Sequence, residues 1–421
     1  MNFASTLLLW YDNNERPLPW RETKDAYAIW LSEVILQQTR IVQGMSYWQH
    51  FMRQWPTVYD LANASEDEVL KAWQGLGYYS RARNLHKAAQ QVVELKGFPH
   101  TAKELKKLKG VGEYTAAAIA SFAFDEKIAV VDGNVYRVLS RYKGIDTPID
   151  TTSGKKVFQS LAQTLLPTHD SARYNQAIMD FGAIQCTPTS PHCDICPLCE
   201  SCVAFREQRI NQLPVKSKKI HQQERHLTYI YIQYNDEIVL HQRGAGDIWQ
   251  GLWELPQLEH LSKEDGEEWK KEAIEVCKDV KHILTHQLLF ANLYYWTPQQ
   301  RPILPTDFIW IPTEKIADYA LPRLMEILLD RYSAMASERN IAIIVIYKSC
   351  ERRICMVDCI GAKGANTYIM YAFFWFSSFR YLAYPTVLLL SLSLLVRLAL
   401  FKPESFSFLF SLVTASAYFS V

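Results

Sequence analysis

The chain has 421 residues, which is enough for two or three domains that each bury a core of their own. Its net charge is only +1, so an attraction to a polyanion would have to come from local clusters of basic residues. The apolar run at residues 7–10 is short and has no basic segment before it, so we expect no signal peptide. We therefore expect a cytoplasmic protein whose thiols stay reduced.

Residues 1–205 have the sequence pattern of helices joined by short loops. Asp25 is placed to cap a helix over residues 26–42, and Ser65 with Glu68 three positions later has the pattern of a capping box. The segment AAAIASFAF, residues 116–124, is almost entirely apolar and predicts a buried helix. The first region is therefore expected to be mainly α.

The pattern changes after a polar, basic stretch at residues 206–227, which contains Pro214 and is typical of an interdomain linker. Within residues 228–332, the segments LTYIYIQY and EIVLHQR predict two strands separated by a turn. A helix is expected from Ser262 and another near LPRLMEILLDRY, residues 321–332. This second region is therefore expected to be α+β.

Residues 333–421 form an apolar tail. From residue 366 onward the only charged residues are Arg380, Arg397, Lys402 and Glu404. The segment 381–396 is uncharged, but it is short for a bilayer span and is interrupted by Pro385. A membrane-associated helix, an apolar extension and an out-of-frame translation are all compatible with this tail.

Two closely spaced glycines interrupt the helical pattern in LKGVGEYTA, residues 108–116. Gly110 and Gly112, with Val111 between them, indicate a turn in which the backbone approaches another group. A turn that leads into a helix N-terminus presents free amides and a positive dipole to a phosphate. Four lysines precede or enter the turn and suit a polyanion, although they equally suit a solvated face: Lys103, Lys106, Lys107 and Lys109.

Four cysteines are spaced Cys186-x6-Cys193-x2-Cys196-x5-Cys202, with Cys199 as a further thiol in the last gap. In a reducing compartment, clustered cysteines indicate a metal site. A zinc ribbon generally needs two tight Cys-x-x-Cys pairs, whereas only the central pair is tight here. The wide outer gaps suit an iron–sulfur cluster better, and a structural zinc site remains the alternative.

Two carboxyl groups have surroundings that would change their affinity for a proton. Glu33 lies on an apolar helical stripe with Trp30 and Val34, so burial should raise its pKa. Asp132 comes directly before the helix NVYRVLSR, whose dipole should favour the ionised form. We expect the two pKa values to move in opposite directions, giving an acid and a stabilising anion. The alternatives are a surface position for Glu33 and an ordinary helix cap for Asp132.

The cysteine loop, LKGVGEYTA and VVDGNVYRVLSR together resemble the endonuclease III superfamily of DNA glycosylases. The segments LPWR, SEVILQQT and GLGYYSRARNL narrow the resemblance to adenine DNA glycosylases of the MutY type, over about residues 15–332. The resemblance implies a helix-hairpin-helix glycosylase fold with one 4Fe-4S cluster, followed by a Nudix-like domain. It also implies a monomer that removes adenine opposite 8-oxoguanine or guanine in double-stranded DNA, and a nucleoid association if the source is bacterial.

The resemblance also assigns roles to residues of this chain. Glu33 would protonate the flipped adenine and activate water, and Asp132 would stabilise the sugar cation, with Tyr114 and Asn134 in the same pocket. The cluster ligands would be Cys186, Cys193, Cys196 and Cys202. Contacts with DNA would come from Gly110, Val111 and Gly112 of the hairpin, Gln38 as a wedge, Tyr78 near the opposing base, and Leu18, Trp20 and Arg21 around the adenine. Thr285 and His286 would recognise the lesion base, although both also suit a structural role.

Tyr114 separates this chain from relatives that cleave the DNA strand. Those relatives carry a lysine eighteen residues before the catalytic aspartate, which is the spacing of Tyr114 and Asp132 here. The lysine amine forms a Schiff base that leads to strand cleavage. A phenol forms no such adduct, so the chain should stop at base removal. A bifunctional pyrimidine-lesion glycosylase and a non-catalytic DNA-binding module are the alternatives.

The chain also departs from the family at two positions: Lys109 replaces a common proline, and Leu284 replaces a common phenylalanine. No glutamate-rich REUxEE helix follows Gly251, so the second domain should bind a base without hydrolysing a nucleotide.

Overall fold

The computed structural model describes residues 2–217, 222–258, 269, 271–302 and 304–338, and the backbone of two short strands, Met356–Val357 and Tyr371–Ala372. The chain divides into two compact units. The first comprises Met1–Ser349 and Val357–Met370, and the second comprises Cys350–Met356 and Tyr371–Val421. Residues 262–268 of the helix expected from Ser262 and nearly all of the apolar tail lie outside the described residues, whereas Trp269, Lys271 and Glu272 are helical.

The first unit begins with a helical region. Its α-helices are α1 (Phe3–Tyr11), α2 (Ala26–Ile35), α3 (Ile41–Gln54), α4 (Val58–Asn63), α5 (Glu66–Ala72), α6 (Ser80–Glu94), α7 (Ala102–Leu105), α8 (Glu113–Phe124), α9 (Gly133–Lys143), α10 (Thr152–Leu165), α11 (Ser171–Asp180) and α12 (Val203–Arg206). The mainly α prediction for this region is confirmed.

The expected helix caps are present, but one helix is shorter than expected. The Asp25 carboxylate accepts hydrogen bonds from the first free amides of α2, and Ser65 with Glu68 forms a capping box on α5. The helix expected over residues 26–42 instead ends at Ile35. Gln38 takes a left-handed conformation with φ of 58°, which breaks the helix before α3 begins.

Three apolar clusters hold the helical region together, and the smallest, around Ile29 and Ala118, joins α2 to α8. Of the two larger clusters, one surrounds Trp30, Phe51 and Trp73 and joins α2 to α3, α5 and α6. The other surrounds Leu7 and Phe158 and joins α1 to α9, α10 and α11. The predicted helix α8 is buried over most of its length and packs against α2. This arrangement brings the α2 face, the start of α8 and the start of α9 together.

A sheet and a final helix form the second region of the same unit. Its strands are β1 (Gln223–Tyr234), β2 (Glu237–Gln242), β3 (Trp253–Glu254), β4 (Ile274–Ile283), β5 (Gln287–Trp296) and β6 (Phe308–Pro312), and they are followed by the helix α13 (Arg323–Glu338). The sheet order is β3-β2-β1-β5-β4, with β6 paired to β2 and with β1 parallel to β5. The two remaining short strands, Met356–Val357 and Tyr371–Ala372, are β7 and β8. The α+β prediction for this region is confirmed.

Alternating side chains of β1 explain the layers around the sheet. Leu227, Tyr229 and Tyr231 point to one face and pack against α13, while Ile230 and Ile232 point to the other. Both faces are therefore covered. The helix α13 continues to Glu338, so residues 333–338, which were assigned to the tail, belong to a helix whose Ala336 is buried.

The segment expected to be a linker is partly ordered against the helical region. The Arg141 guanidinium donates to the carbonyls of Ile210 and Leu213, and the Ser217 amide donates to the Asp150 carboxylate. β1 then begins at Gln223, within the predicted linker. The domain boundaries at residues 205, 227 and 332 stay a prediction.

Polar contacts join the helical region to the sheet region. The Arg83 guanidinium donates to the Gln250 carbonyl, and the Lys71 ammonium donates to the Tyr319 carbonyl at 3.0 Å. Leu252 belongs to the core around Trp73. In the part of the chain that the structure describes, no helix has the length and apolarity needed to cross a bilayer.

Candidate active site

Glu33 lies on the buried face of α2 with its side chain almost wholly removed from solvent. The Tyr114 hydroxyl donates to its Oε2 at 2.6 Å. Burial raises the pKa of Glu33 from 4.5 to about 7, while the Tyr114 hydrogen bond opposes the rise and the charge of Asp132 adds to it. The expected increase in this pKa is confirmed. Near neutral pH this carboxyl group therefore holds a proton that it can give up.

Asp132 caps the N-terminus of α9. Its Oδ1 accepts from the Val135 amide at 2.8 Å, and its Oδ2 accepts from the Asn134 side chain at 2.7 Å. Burial nevertheless raises the pKa of Asp132, because loss of solvent outweighs the hydrogen bonds that favour the anion. The expectation that its pKa would move in the opposite direction from that of Glu33 is therefore wrong.

Tyr114 lies in the first turn of α8 and connects this pocket to the glycine turn. Burial and then the charge of Glu33 raise the pKa of Tyr114 well above its ordinary value, so it stays a neutral donor. The hydroxyl donates to Oε2 of Glu33, which leaves Oε1 to carry the carboxyl proton. The structure thus brings together Glu33, Tyr114, Asp132 and Asn134.

The segment before α2 carries Leu18, Trp20 and Arg21. Leu18 and Trp20 are buried, and the Trp20 ring meets Trp48 edge-on at 5.5 Å. The Arg21 guanidinium binds both oxygens of Asp180 at 2.7 Å, and its charge lowers the pKa of Glu33. The arginine is thus held near the pocket by a buried carboxylate.

The glycine turn has the geometry that its sequence predicts. Gly110 has a φ of +75°, and a Cβ there would come within 2.6 Å of the Asn84 side chain. Val111 is buried, and Gly112 is the N-cap of α8, so no side chain caps the first amides of that helix. The four nearby lysines are all exposed, although Lys106 pairs with Glu113 at 2.6 Å. Free amides and exposed positive charge therefore meet at one surface.

Gln38 and Tyr78 are both exposed and both have left-handed backbones. Their φ values are 58° and 47°, which are uncommon for residues with a side chain. Tyr78 retains 47 % of its exposure despite its size. Its hydroxyl forms a hydrogen bond with the Thr285 hydroxyl in the turn between β4 and β5. The structure therefore brings Thr285 to Tyr78, while His286 is exposed on the same turn.

The five cysteines of the loop line one cavity together with Arg141. Burial raises the pKa of the Cys196 thiol to about 12, and the neighbouring thiols of Cys186, Cys193 and Cys202 add to the increase. The described residues contain no group of three Cys, His, Asp or Glu that could hold a single metal ion. Thiolates are ligands for both zinc and iron–sulfur clusters, and the thiols of this loop line one cavity, so the donor set fits a thiolate-bound metal centre.

Comparisons with known proteins agree with this geometry. The family profile described as "HhH-GPD superfamily base excision DNA repair protein" matches residues 31–165, and a NUDIX domain profile matches residues 228–331. The adenine DNA glycosylase of Buchnera aphidicola subsp. Schizaphis graminum is 33% identical over 347 residues, which are 78% of this chain and 98% of that protein. The chain belongs to the adenine DNA glycosylase family.

Other relatives match a shorter part of the chain. The human adenine DNA glycosylase is 45% identical over 221 residues, or 50% of this chain and 40% of that protein. A solved thermostable thymine-DNA glycosylase is 32% identical over 49% of this chain and 95% of its own, with a TM-score of 0.46.

Two buried polar residues of this glycosylase support the site but were not predicted from its sequence. The Arg137 guanidinium donates to the Asn134 side chain and the Cys186 carbonyl, each at 2.8 Å, and so joins the pocket to the cysteine loop. Asp180 is fully buried and binds Arg21. Arg141, four residues after Arg137 on the same face of α9, likewise donates to the cysteine loop, at the Thr187 carbonyl, and this spacing is a signal that the sequence offers.

Proposed function

We propose that this chain is a monofunctional adenine DNA glycosylase that hydrolyses the N-glycosidic bond of adenine mispaired with 8-oxoguanine or guanine. The observation that carries the proposal is the buried Glu33 carboxyl group, which has a pKa of about 7 and accepts a hydrogen bond from Tyr114. Such a group can donate a proton near neutral pH. The enzyme would act in the cytoplasm, at the nucleoid if the source is bacterial, and as a monomer.

Glu33 would work first as an acid and then as a base. After the adenine leaves the duplex stack, the Oε1 proton passes to the adenine ring, and the N-glycosidic bond breaks with its electron pair on the base. The sugar is left as an oxocarbenium-like cation. The ionised Glu33 then accepts a proton from water as the water oxygen attacks the sugar carbon. This restores the acid and leaves an abasic site.

Asp132 would stabilise the sugar cation between these two steps. The Val135 amide and the Asn134 side chain already donate to its two oxygens, so the anion has fixed donors in the absence of solvent. Because burial raises the pKa of Asp132, the positive charge of the sugar would help to keep the Asp132 carboxylate ionised. Leu18, Trp20 and Arg21 would surround the everted adenine.

Tyr114 would limit the reaction to base removal. Its hydroxyl is already bound to Glu33 and supplies no amine for a Schiff base. The test uses a duplex with a single adenine opposite 8-oxoguanine, incubated with the protein and scored for strand scission with and without alkali.

Scission only after alkali supports the proposal, and borohydride should trap no covalent complex. Scission without alkali would instead identify a bifunctional glycosylase. No scission under either condition would indicate that the protein binds DNA without catalysing base removal.

DNA would bind across the glycine turn and the exposed loops of both regions. The amides around Gly110, Val111 and Gly112 would contact a phosphate, Gln38 would fill the vacated space, and Tyr78 would insert near the opposing base. Thr285 and His286 would recognise 8-oxoguanine. Thr285→Val should reduce the preference for adenine opposite 8-oxoguanine over adenine opposite guanine, while Thr313→Val, on the far end of the sheet, should leave it unchanged.

We also propose that Cys186, Cys193, Cys196 and Cys202 hold one 4Fe-4S cluster. When bound, such a cluster supplies electron-transfer chemistry and fixes the fold of its loop. The ligand set is supported by the thiols of Cys186, Cys193 and Cys202, which all act on the pKa of the Cys196 thiol and line the same cavity. Purified protein should absorb visible light and contain iron. Cys196→Ser should lose both properties, whereas Cys199→Ser should keep them.

A further inference from the structure

Two exposed side chains that are proposed to enter the DNA come from different parts of the chain. Gln38 follows α2, which carries Glu33, and Tyr78 precedes α6 in the turn that contains Gly75 and Gly77. Both have positive φ, as do both glycines of that turn. Strained backbones of this kind persist only where the surrounding structure holds them in place. The side chain of Arg81 contacts both turns.

The Arg81 guanidinium bridges the two turns through five backbone carbonyls. Its Nη1 donates to the carbonyls of Val34, Ile35 and Gln37 at 2.9, 3.1 and 2.7 Å. Its Nη2 donates to the carbonyls of Leu76 and Gly77 at 3.3 and 3.2 Å. The planar fork of the guanidinium thus fixes the end of α2, together with the residue before Gln38, against the residue before Tyr78.

Arg81 makes no ion pair among the residues that the structure describes, and two aromatic rings lie beside its guanidinium. The guanidinium lies 5.0 Å from the Trp73 ring centre and 5.8 Å from the Tyr78 ring centre. Burial lowers the pKa of Arg81 to about 10, so it remains a cation at neutral pH. The free carbonyls at the end of α2 carry the negative end of the helix dipole and suit this charge.

We propose that Arg81 is a positioning residue that fixes the separation of Gln38 and Tyr78, and thereby promotes departure of the target base from the duplex. This inference rests on the proposed function, which places both side chains in the DNA. A lysine at the same position would keep the charge but lose the fork that binds two turns at once. Losing the bridge would let the two loops move independently, although neither side chain is altered.

Base eversion can be measured separately from chemistry. The probe is a duplex with 2-aminopurine in place of the adenine opposite 8-oxoguanine, because the fluorescence of this base increases when it leaves the stack. Every protein in the comparison carries Glu33→Gln, so that the base is not removed. The parent should bind the duplex and increase the fluorescence. Binding without any increase in the parent would overturn the proposed function itself.

Arg81→Gln and Arg81→Lys should bind the duplex but shift the eversion equilibrium toward the stacked base by about tenfold, or about 1.4 kcal/mol. Val92→Ala is the matched control, since Val92 is fully buried on the same helix and its loss destabilises the fold without touching either turn. Arg81→Lys keeps the buried charge. It replaces Arg81→Gln in the comparison if Arg81→Gln is not folded at the temperature of the measurement. An unchanged equilibrium in Arg81→Lys, or an equal shift in Val92→Ala, would overturn the inference.

A double variant tests whether Arg81 acts through the wedge. If it does, Gln38→Ala combined with Arg81→Lys should reduce eversion by less than the product of the two single reductions. A combined loss equal to that product would mean that Arg81 acts independently of Gln38 and would contradict the proposed role. Melting temperatures of all variants, measured without DNA, separate this effect from general loss of stability.

Discussion

Among the residues that the structure describes, the helical region and the sheet region each contain one buried glutamate, and the pKa values of these two glutamates move in opposite directions. Glu33 accepts one hydrogen bond from a neutral tyrosine, and burial raises its pKa to about 7. Glu254 is fully buried, yet its pKa lies below the ordinary value, because hydrogen bonds from His241 and the charge of Arg243 outweigh the loss of solvent. Its Oε2 lies 2.5 Å from the Arg243 guanidinium. The hydrogen-bond and charge partners of a buried carboxyl group, and not burial alone, therefore decide whether it is protonated or forms an ion pair.

The largest expected effect comes from removing the carboxyl proton of Glu33. Glu33→Gln keeps the shape of the side chain but has no acidic proton, so single-turnover excision of adenine opposite 8-oxoguanine should fall by at least about 10²-fold. Glu94→Gln, at an exposed position of α6, is the control and should excise at the parental rate. Parental excision by Glu33→Gln would remove the chemical basis of the proposed function.

Removing the buried ion pair between Glu254 and Arg243 should reduce the stability of the fold. Glu254→Gln leaves the buried Arg243 guanidinium without its carboxylate and should lower the free energy of unfolding by about 3–5 kcal/mol. Denaturant unfolding measures the change, with the exposed Glu314→Gln as the control for the same region. An unfolding free energy equal to that of the parent would show that Glu254 is not held as an ion.

Replacing Glu33 should have the opposite effect on stability at high pH. The folded pKa lies above the unfolded one, so the folded state binds more protons between pH 4.5 and about 7, and stability falls as the pH increases through that range. The shift corresponds to roughly 3 kcal/mol. Glu33→Gln should therefore be more stable than the parent at pH 8 and lose that advantage below pH 5. An advantage that does not depend on pH would contradict the assignment.

The rate of excision should report the same proton. Above pH 7 the acidic form of Glu33 becomes scarce, so the single-turnover rate should fall by about tenfold per pH unit. The profile is measured at saturating protein, so that changes in DNA affinity do not enter the rate. A rate that is constant between pH 6 and pH 9 would exclude Glu33 as the acid.

The smallest expected effect concerns the hydrogen bond from Tyr114. Because this bond lowers the pKa of Glu33, Tyr114→Phe should raise that pKa and move the fall in rate to higher pH by about one unit or less. Tyr59→Phe, at a half-exposed position, should leave the profile unchanged. A movement to lower pH would mean that the hydroxyl supports the acid in another way.

Sequence patterns predicted the local features of this site better than its electrostatics. The apolar stripe around Glu33, the cap at Asp132 and the glycine turn at Gly110 depend on neighbours in the chain, and all three are present. The pKa of Asp132 was assigned the wrong direction, since the total burial at the start of α9 depends on how other helices pack against it. The dipole of a single helix, which is what the sequence pattern predicts, gives no information on that burial.

Long-range contacts were the features that the sequence did not predict. Arg81 binds carbonyls of two turns about forty residues apart, and Arg243, the residue after β2, meets Glu254 of β3. The early end of α2 was also missed, because QQTR contains neither glycine nor proline to mark the left-handed turn at Gln38. These features are decided by tertiary packing, which overrides local propensity.

The account depends most directly on the protonation state of Glu33, which difference infrared spectroscopy can titrate. Spectra of the parent minus Glu33→Gln isolate the carbonyl stretch of this one protonated carboxyl group. We expect the band to disappear with a midpoint near pH 7. A midpoint near the ordinary value of 4.5 would show that Glu33 is already an anion at neutral pH and would contradict its role as the acid.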